Sequence, residues 1–217
     1  IVGSALKETA CIVLLSAVLQ AVGALILGVL LYLTRKNVIG KILAFASIAA
    51  ISIPAFYLAT SFIDVVAVRW NLISVSGNTG LMRYLPAALC LAVGGIAFFG
   101  QMLSKAIQQA MSEDSVLYAR CRGLSDPYIV VRYAMPQAII STVPTFMQMM
   151  GMCMAGSALV ENIFSLPGLG YRIVNSLTNR DLPVIYATVL FLAFALVIFN
   201  ILADIIQRLL QTRKGDL

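Results

Sequence analysis

The sequence predicts an all-α transmembrane protein, forming a single membrane domain over residues 1–217. Hydrophobic residues make up 61% of the 217 residues, charged residues make up only 11%, and the mean hydropathy is +0.96. A soluble domain is about half apolar and about a quarter charged. A water-soluble enzyme, a disordered chain and a small disulfide scaffold are therefore excluded.

Five apolar stretches are long enough to cross a hydrocarbon core of about 30 Å. They cover about residues 10–33, 42–63, 85–103, 138–160 and 184–202. Backbone groups in lipid must pair with one another, so each stretch is predicted to be a helix. The fourth is rich in methionine, which favours flexible helix packing over a metal relay.

Basic residues set the predicted orientation of these spans. Residues 34–41, 104–136 and the C-terminal segment together hold ten of the 15 lysines and arginines, and the alternate segments hold five. Because cytoplasmic loops carry the excess of Lys and Arg, the first group is predicted to be cytoplasmic. An N-terminus outside the cell is unusual for a native chain, and a missing first span upstream of Ile1 would explain it.

The composition also limits the chemistry. The chain has no histidine, no G-x-x-x-x-G-K-[ST] loop and no C-x-x-C pair, and no nucleophile has a partner base. We therefore expect no catalytic residue, no metal ligand and no cofactor in this chain, and no ATP binding through a P-loop. The net charge of +6 is attributed to cytoplasmic loops, with no nucleic-acid partner.

The inner loop at residues 104–136 is the largest polar segment. Ser112 followed by acidic residues predicts a helix start, Gly123 a left-handed helix end, and Ser125 before Asp126 and Pro127 a second helix. The apolar residues of this helix–turn–helix are Val116, Leu117, Ala119 and Leu124. They are predicted to contact either a partner protein or the chain's own membrane domain.

The outer segment at residues 161–183 contains a second pattern. Pro167, Gly168 and Gly170 interrupt the helix that would otherwise continue from the fourth span, and such backbone must be covered by protein or line a water-filled cavity. Glu161 is either a pathway residue or an interfacial carboxylate paired with Arg172 or Arg180.

Both segments resemble motifs of permease subunits of binding-protein-dependent ABC importers. Residues 119–125, Ala-Arg-Cys-Arg-Gly-Leu-Ser, resemble the coupling loop of the peptide- and nickel-importing branch, with Pro136 at the motif's end and Leu117-Tyr118 replacing its Glu-Ala. Residues 161–170 resemble the branch pattern E-x-I-F-x-x-P-G-[LM]-G, and residues 180–184 resemble R-D-[YF]-P-[VL]. Residues 52–56 resemble its S-[IM]-P-x-F, so the resemblance covers essentially the whole chain.

The resemblance assigns roles to the residues of these motifs. It implies that the inner loop couples to an ATPase through Leu117, Ala119, Arg120, Arg122, Gly123, Leu124, Ser125 and Pro136. It implies that the outer segment is a re-entrant or gate segment that uses Glu161, Pro167, Gly168, Gly170, Arg180, Asp181 and Pro183. The implied fold is the five-span core of type I importers.

The resemblance also implies a function and partners. These are a pore-forming subunit in the bacterial inner membrane, a second and related permease chain, two ATP-binding subunits and an extracytoplasmic substrate-binding protein. The cargo would be a peptide, nickel or a metal–chelator complex. The branch has an extra N-terminal span and an external segment before the first helix seen here.

Two other functions are consistent with an apolar helical chain. A secondary transporter or channel would need no ATPase, but it favours ionisable residues within the spans and inverted repeats. Neither is present in this sequence. A membrane scaffold that transports nothing would leave the outer motif unexplained.

Overall fold

The computed structural model describes residues 2–70 and 80–214, and within them the chain is helical, without a β-strand. The α-helices are α1 (Val2–Thr34), α2 (Val38–Ser52), α3 (Ala55–Phe62), α4 (Leu85–Ala110), α5 (Asp114–Cys121), α6 (Asp126–Ile129), α7 (Met135–Ile163), α8 (Leu169–Asn179) and α9 (Leu182–Lys214). Short π-helical segments follow α3 at Ile63–Arg69 and precede α7 at Val130–Ala134, and a 3₁₀ turn at Gly80–Arg83 precedes α4.

Four helical segments of the described chain are long and apolar enough to cross a membrane, or five if one bent pair counts as a span. They are Gly3–Thr34, Leu85–Ala110, Asp126–Ile163 and Leu182–Leu209. These segments include the first, third, fourth and fifth predicted stretches, and each extends beyond the predicted bounds.

The second predicted stretch differs, because α2 and α3 meet at an angle of 93°. Pro54 has no N–H to donate and disfavours helical geometry in the residue before it. Ile53 accordingly has extended backbone angles, φ −83° and ψ 121°. The apolar stretch at residues 42–63 is therefore a broken pair of helices and not one continuous helix.

Helices α1, α4 and α7 form the centre of the bundle, with α1 and α4 in the most extensive contact. Small residues permit this approach. A Cβ added to Gly28 of α1 would lie 3.0 Å from the carbonyl oxygen of Gly100 in α4. Without a hydrophobic force between helices in lipid, such close backbone packing contributes much of the association energy.

Two apolar clusters occupy opposite ends of this centre. One packs Ile12 of α1 against Val160, Phe164 and Leu166, next to the outer segment. The other packs Tyr32, near the end of α1, against Ile107, Val130 and Ala134, next to the inner loop. The fold therefore places the two sequence motifs at opposite ends of the same helices.

Candidate coupling and gating sites

The inner loop forms the predicted helix, glycine turn and helix. Helix α5 ends at Cys121, and Gly123 follows two residues later with φ +76°. The Gly123 N–H donates to the Arg120 carbonyl at 2.9 Å, and the Leu124 N–H donates to the Ala119 carbonyl at 3.3 Å. This is the Schellman arrangement, which satisfies the last carbonyls of a helix. Ser125, with extended backbone angles, is the N-cap position of α6.

Of the apolar loop residues expected to contact a partner or the membrane domain, some are buried within the loop and others are exposed. Val116 and Ala119 are each 1% exposed and pack against Ile129, with Leu124 partly buried beside them. The chain itself therefore covers Val116 and Ala119, so of the two alternatives for these residues the structure favours packing within the chain over contact with a partner. Ile129 belongs to α6, which follows the glycine turn. Val116 and Ala119 are therefore buried only because the turn folds α6 back onto α5.

Four large apolar side chains of the loop are exposed, and we call them together the loop patch: Leu117, Tyr118, Tyr128 and Val131. Their exposed fractions are 61%, 67%, 51% and 62%. Sequence reasoning found only Leu117. The other three could have been found from helical spacing, since Tyr128 and Val131 are three residues apart and share a face.

The charged residues of the motif surround this turn. The Arg120 guanidinium pairs with the Asp126 carboxylate at 3.3 Å, across the glycine turn. The Arg122 guanidinium lies 6.0 Å from the ring centroid of Tyr118. Arg120, Arg122 and Ser125 are exposed, as is Pro136 at the start of α7. Arg120 thus bridges the two short helices, and Arg122 borders the loop patch.

At the opposite end, Glu161 is fully buried and accepts four hydrogen bonds. Its Oε1 accepts from the hydroxyls of Thr9 at 2.7 Å and Ser157 at 2.8 Å. Its Oε2 accepts from the backbone N–H groups of Gly170 at 2.9 Å and Tyr171 at 3.2 Å. We call this group, with the Leu169 N–H that donates to Thr9 Oγ1 at 2.8 Å, the outer latch.

The outer latch is a helix-capping arrangement. Gly170 and Tyr171 lie in the first turn of α8, where backbone N–H groups have no partner within the helix. Glu161 supplies that partner from α7, and Thr9 joins α1 to the same turn. Glu161 is therefore not the interfacial partner of Arg172 or Arg180, because its contacts are hydroxyl and backbone donors. Sequence reasoning missed Thr9 and Ser157.

The two motif glycines are needed because the backbone passes close to its neighbours. A Cβ on Gly168 would lie 2.4 Å from Glu161 Oε2, and one on Gly170 would lie 2.1 Å from the Ala158 Cα in α7. No ordinary side-chain contact is that short. Pro167 is partly buried just before them, in the turn that ends α7 and begins α8.

The second half of the outer motif forms the junction between α8 and α9. Arg180 ends α8 in a left-handed conformation with φ 56°. Asp181 Oδ1 accepts from the Val184 N–H at 3.4 Å, which caps the start of α9 beside Pro183. All three motif residues are exposed, so the structure brings none of them to Glu161.

Within residues 2–70 and 80–214, no group of three or more His, Cys, Asp or Glu side chains could hold a metal ion. The expectation that this chain carries no cofactor stays a prediction.

An apolar helical bundle with a polar helix–turn–helix at one end and a broken helix at the other is typical of a membrane transport permease. This chain belongs to the family of binding-protein-dependent transport system inner membrane components, whose model matches residues 24–216. It is a permease component of an ABC importer and an integral protein of the bacterial inner membrane.

Named relatives transport different cargoes. The chain is 29% identical to the metal-staphylopine import permease CntB of Staphylococcus aureus strain Mu50, over 99% of this chain and 69% of CntB. It is 30% identical to the dipeptide permease DppB of Bacillus subtilis, over 90% of this chain and 64% of DppB. It is 28% identical to the nickel permease NikB of S. aureus strain USA300, over 80% of this chain and 52% of NikB.

Solved structures share the fold. An inward-facing structure of the MetNI methionine ABC transporter matches with a TM-score of 0.77 at 20% identity, covering 96% of this chain and 95% of that chain. A chain of an amino acid ABC transporter matches with a TM-score of 0.70 at 16% identity, covering 94% and 92%. The architecture is therefore that of type I importer permeases.

Proposed function

We propose that this permease couples ATP hydrolysis on separate subunits to import of a peptide, nickel or a metal–chelate. Two ATP-binding subunits would dock at the inner loop, a second and related permease chain would complete the pathway, and an extracytoplasmic binding protein would deliver the cargo. The single observation that carries the proposal is the loop patch. Four large apolar side chains stand exposed on the charged inner loop at residues 104–136.

The loop patch suits docking for a physical reason. Exposed aromatic and aliphatic side chains on a rigid helical hairpin supply the buried centre that a protein interface needs. The hairpin is held by its own core of Val116, Ala119 and Ile129 and by the Arg120–Asp126 ion pair. A displacement of the loop by a docked partner would therefore move the loop as a rigid unit. The movement would be transmitted to α7, which follows the loop directly in the chain.

The outer latch supports a gate at the other end. Glu161 and Thr9 join α1, α7 and the first turn of α8, so a movement of α7 relative to α1 must change these hydrogen bonds. ATP-driven closure below would tilt the helices and alter the latch above, which exposes the pathway alternately to each side. The proposed cargo classes are those of the named relatives.

The test is co-purification of the ATPase with the permease from detergent extract. Leu117→Asp places a charge on the loop patch, and we expect it to reduce the ATPase recovered by roughly tenfold or more, since burying an unpaired charge costs several kcal/mol. Gln109→Asp adds the same charge at an exposed position outside the patch and should retain the ATPase. Equal recovery from both variants would remove the basis of the proposal.

A further inference from the structure

A separate cavity of about 220 Å³ lies between the end of α1, the start of α2 and the last turns of α4. Its polar lining consists of Arg35, Lys41, Gln101, Ser104, Lys105 and Gln108. Neither the loop patch nor the outer latch contributes to it. Because Arg35, Lys41 and Lys105 belong to segments predicted to be cytoplasmic, the cavity lies at the inner end of the bundle.

The lining of the cavity is cationic. It contains three basic side chains and no carboxylate among the residues that line it in the described chain. The Arg35 guanidinium donates to the Tyr32 carbonyl at 2.8 Å and lies 3.9 Å from the centroid of the Tyr32 ring, which fixes its position. Gln101 is held by its 2.8 Å bond to Ser47. A cavity lined only by positive charges, with side chains already held in place, attracts an anion.

The surroundings of the cavity are those of a lipid surface. Helix α2 begins at its edge and exposes Val38, Ile39, Ile42 and Phe45, with exposed fractions of 71%, 67%, 64% and 74%. A soluble anion would bind the basic side chains but would make no contact with the apolar surface of α2. An ion with attached hydrocarbon chains would use both.

We propose that this cavity binds the headgroup phosphate of an anionic phospholipid from the inner leaflet, with its acyl chains along α2. Basic pockets between transmembrane helices on the cytoplasmic side suit such headgroups. Bound lipid would join α1, α2 and α4 where α1 ends. This site is independent of how the permease is coupled to ATP.

The experiment measures lipid binding to the permease in its native assembly, by native mass spectrometry in a neutral detergent. Phosphatidylglycerol and phosphatidylcholine are added at equal concentrations to separate samples. The variant is Lys41→Gln with Lys105→Gln, both exposed side chains. The charge-matched control is Lys36→Gln with Arg132→Gln, two exposed cations that do not line the cavity.

We expect wild type to retain phosphatidylglycerol over phosphatidylcholine. The cavity variant should lose about fivefold in apparent affinity for each lysine removed, and the control variant should stay within about twofold. Equal retention of the two lipids would overturn the proposal, as would a cavity variant that binds like wild type. In a third sample, displacement of phosphatidylglycerol by excess inorganic phosphate would identify a soluble-anion site and overturn the lipid as occupant.

Discussion

Thr9 donates a 2.7 Å hydrogen bond to Glu161, and the two fully buried residues lie 152 positions apart in the sequence. Thr9 also accepts from the first N–H of α8, so a single hydroxyl links α1 to both α7 and α8, on either side of the turn between them. The outer motif is therefore assembled by a residue outside the motif. Its mechanical role can be tested apart from its sequence resemblance.

Thr9→Val should weaken the latch while preserving volume. The valine removes one of the two hydroxyl donors to Glu161 Oε1 and the acceptor for the Leu169 N–H, and leaving that buried N–H unpaired costs about 1–3 kcal/mol. We expect a lower melting temperature in detergent and reduced uptake, with Thr9→Ser close to wild type. Thr178→Val is the control, because that hydroxyl bonds only within its own exposed helix turn. Equal melting temperatures for Thr9→Val and wild type would show that the latch does not stabilise the fold.

Glu161→Gln should be more damaging than its small change in size suggests. The amide oxygen can still accept from the Gly170 and Tyr171 N–H groups, but the amide N–H groups then face the Thr9 and Ser157 hydroxyls, which must turn to accept, and every bond loses the charge of the carboxylate. We expect a loss of stability of about 2–4 kcal/mol and loss of uptake of the cargo that the wild-type complex imports. Wild-type thermal stability together with wild-type uptake would contradict the assignment.

Gly170→Ala should disrupt the contact between α8 and α7. The added methyl would lie 2.1 Å from the Ala158 Cα, which is backbone and cannot move aside cheaply. Gly156→Ala in α7 is the matched control, since nothing lies within 4 Å of its Cβ, and alanine favours a helix over glycine by about 1 kcal/mol. We expect a lower melting temperature for the first variant and an equal or higher one for the second. The reverse order would contradict the close packing of α8 on α7.

The two motifs should be accessible from opposite faces of the membrane. Cys121 is exposed in the inner loop and can serve as the only thiol once Cys11, Cys90 and Cys153 are replaced. Thr178→Cys, in a chain lacking all four native cysteines, reports on α8. An impermeant thiol reagent should label Thr178→Cys in intact cells and Cys121 only in inverted vesicles. Labelling of both from one face would refute the orientation.

Local signals predicted the inner loop well, because its geometry depends on neighbours in sequence. Gly123 follows the end of α5 with positive φ, and Ser125 precedes α6, as expected. Proline was a less certain signal: Pro54 separates α2 from α3, whereas Pro144 lies inside the continuous helix α7. The helix continues through Pro144 although proline disfavours a helix interior. No residue near Pro144 in the sequence predicts this difference from Pro54.

The sequence was less informative where the partner lies far along the chain. The sequence offered Arg172 and Arg180 as partners for Glu161, because both lie close to it along the chain. It gave no reason to consider Thr9, which lies just before the first predicted span. The sequence alone also did not show which face of α5 is exposed. That face is decided by Ile129 of the next helix, which buries Ala119. Long-range packing of this kind has no signature in a single sequence.

The most direct test of ATPase coupling is cross-linking from the loop to the ATP-binding subunit. Single cysteines replace Leu117, Tyr128 or Ala119 in a chain lacking the native cysteines, and a short bifunctional thiol reagent is added to the assembly. Leu117→Cys and Tyr128→Cys on the loop patch should cross-link to the ATPase, whereas Ala119→Cys, at a position 1% exposed, should not. Absence of any ATPase cross-link from the patch, or stronger cross-linking from Ala119→Cys, would contradict the proposed docking surface.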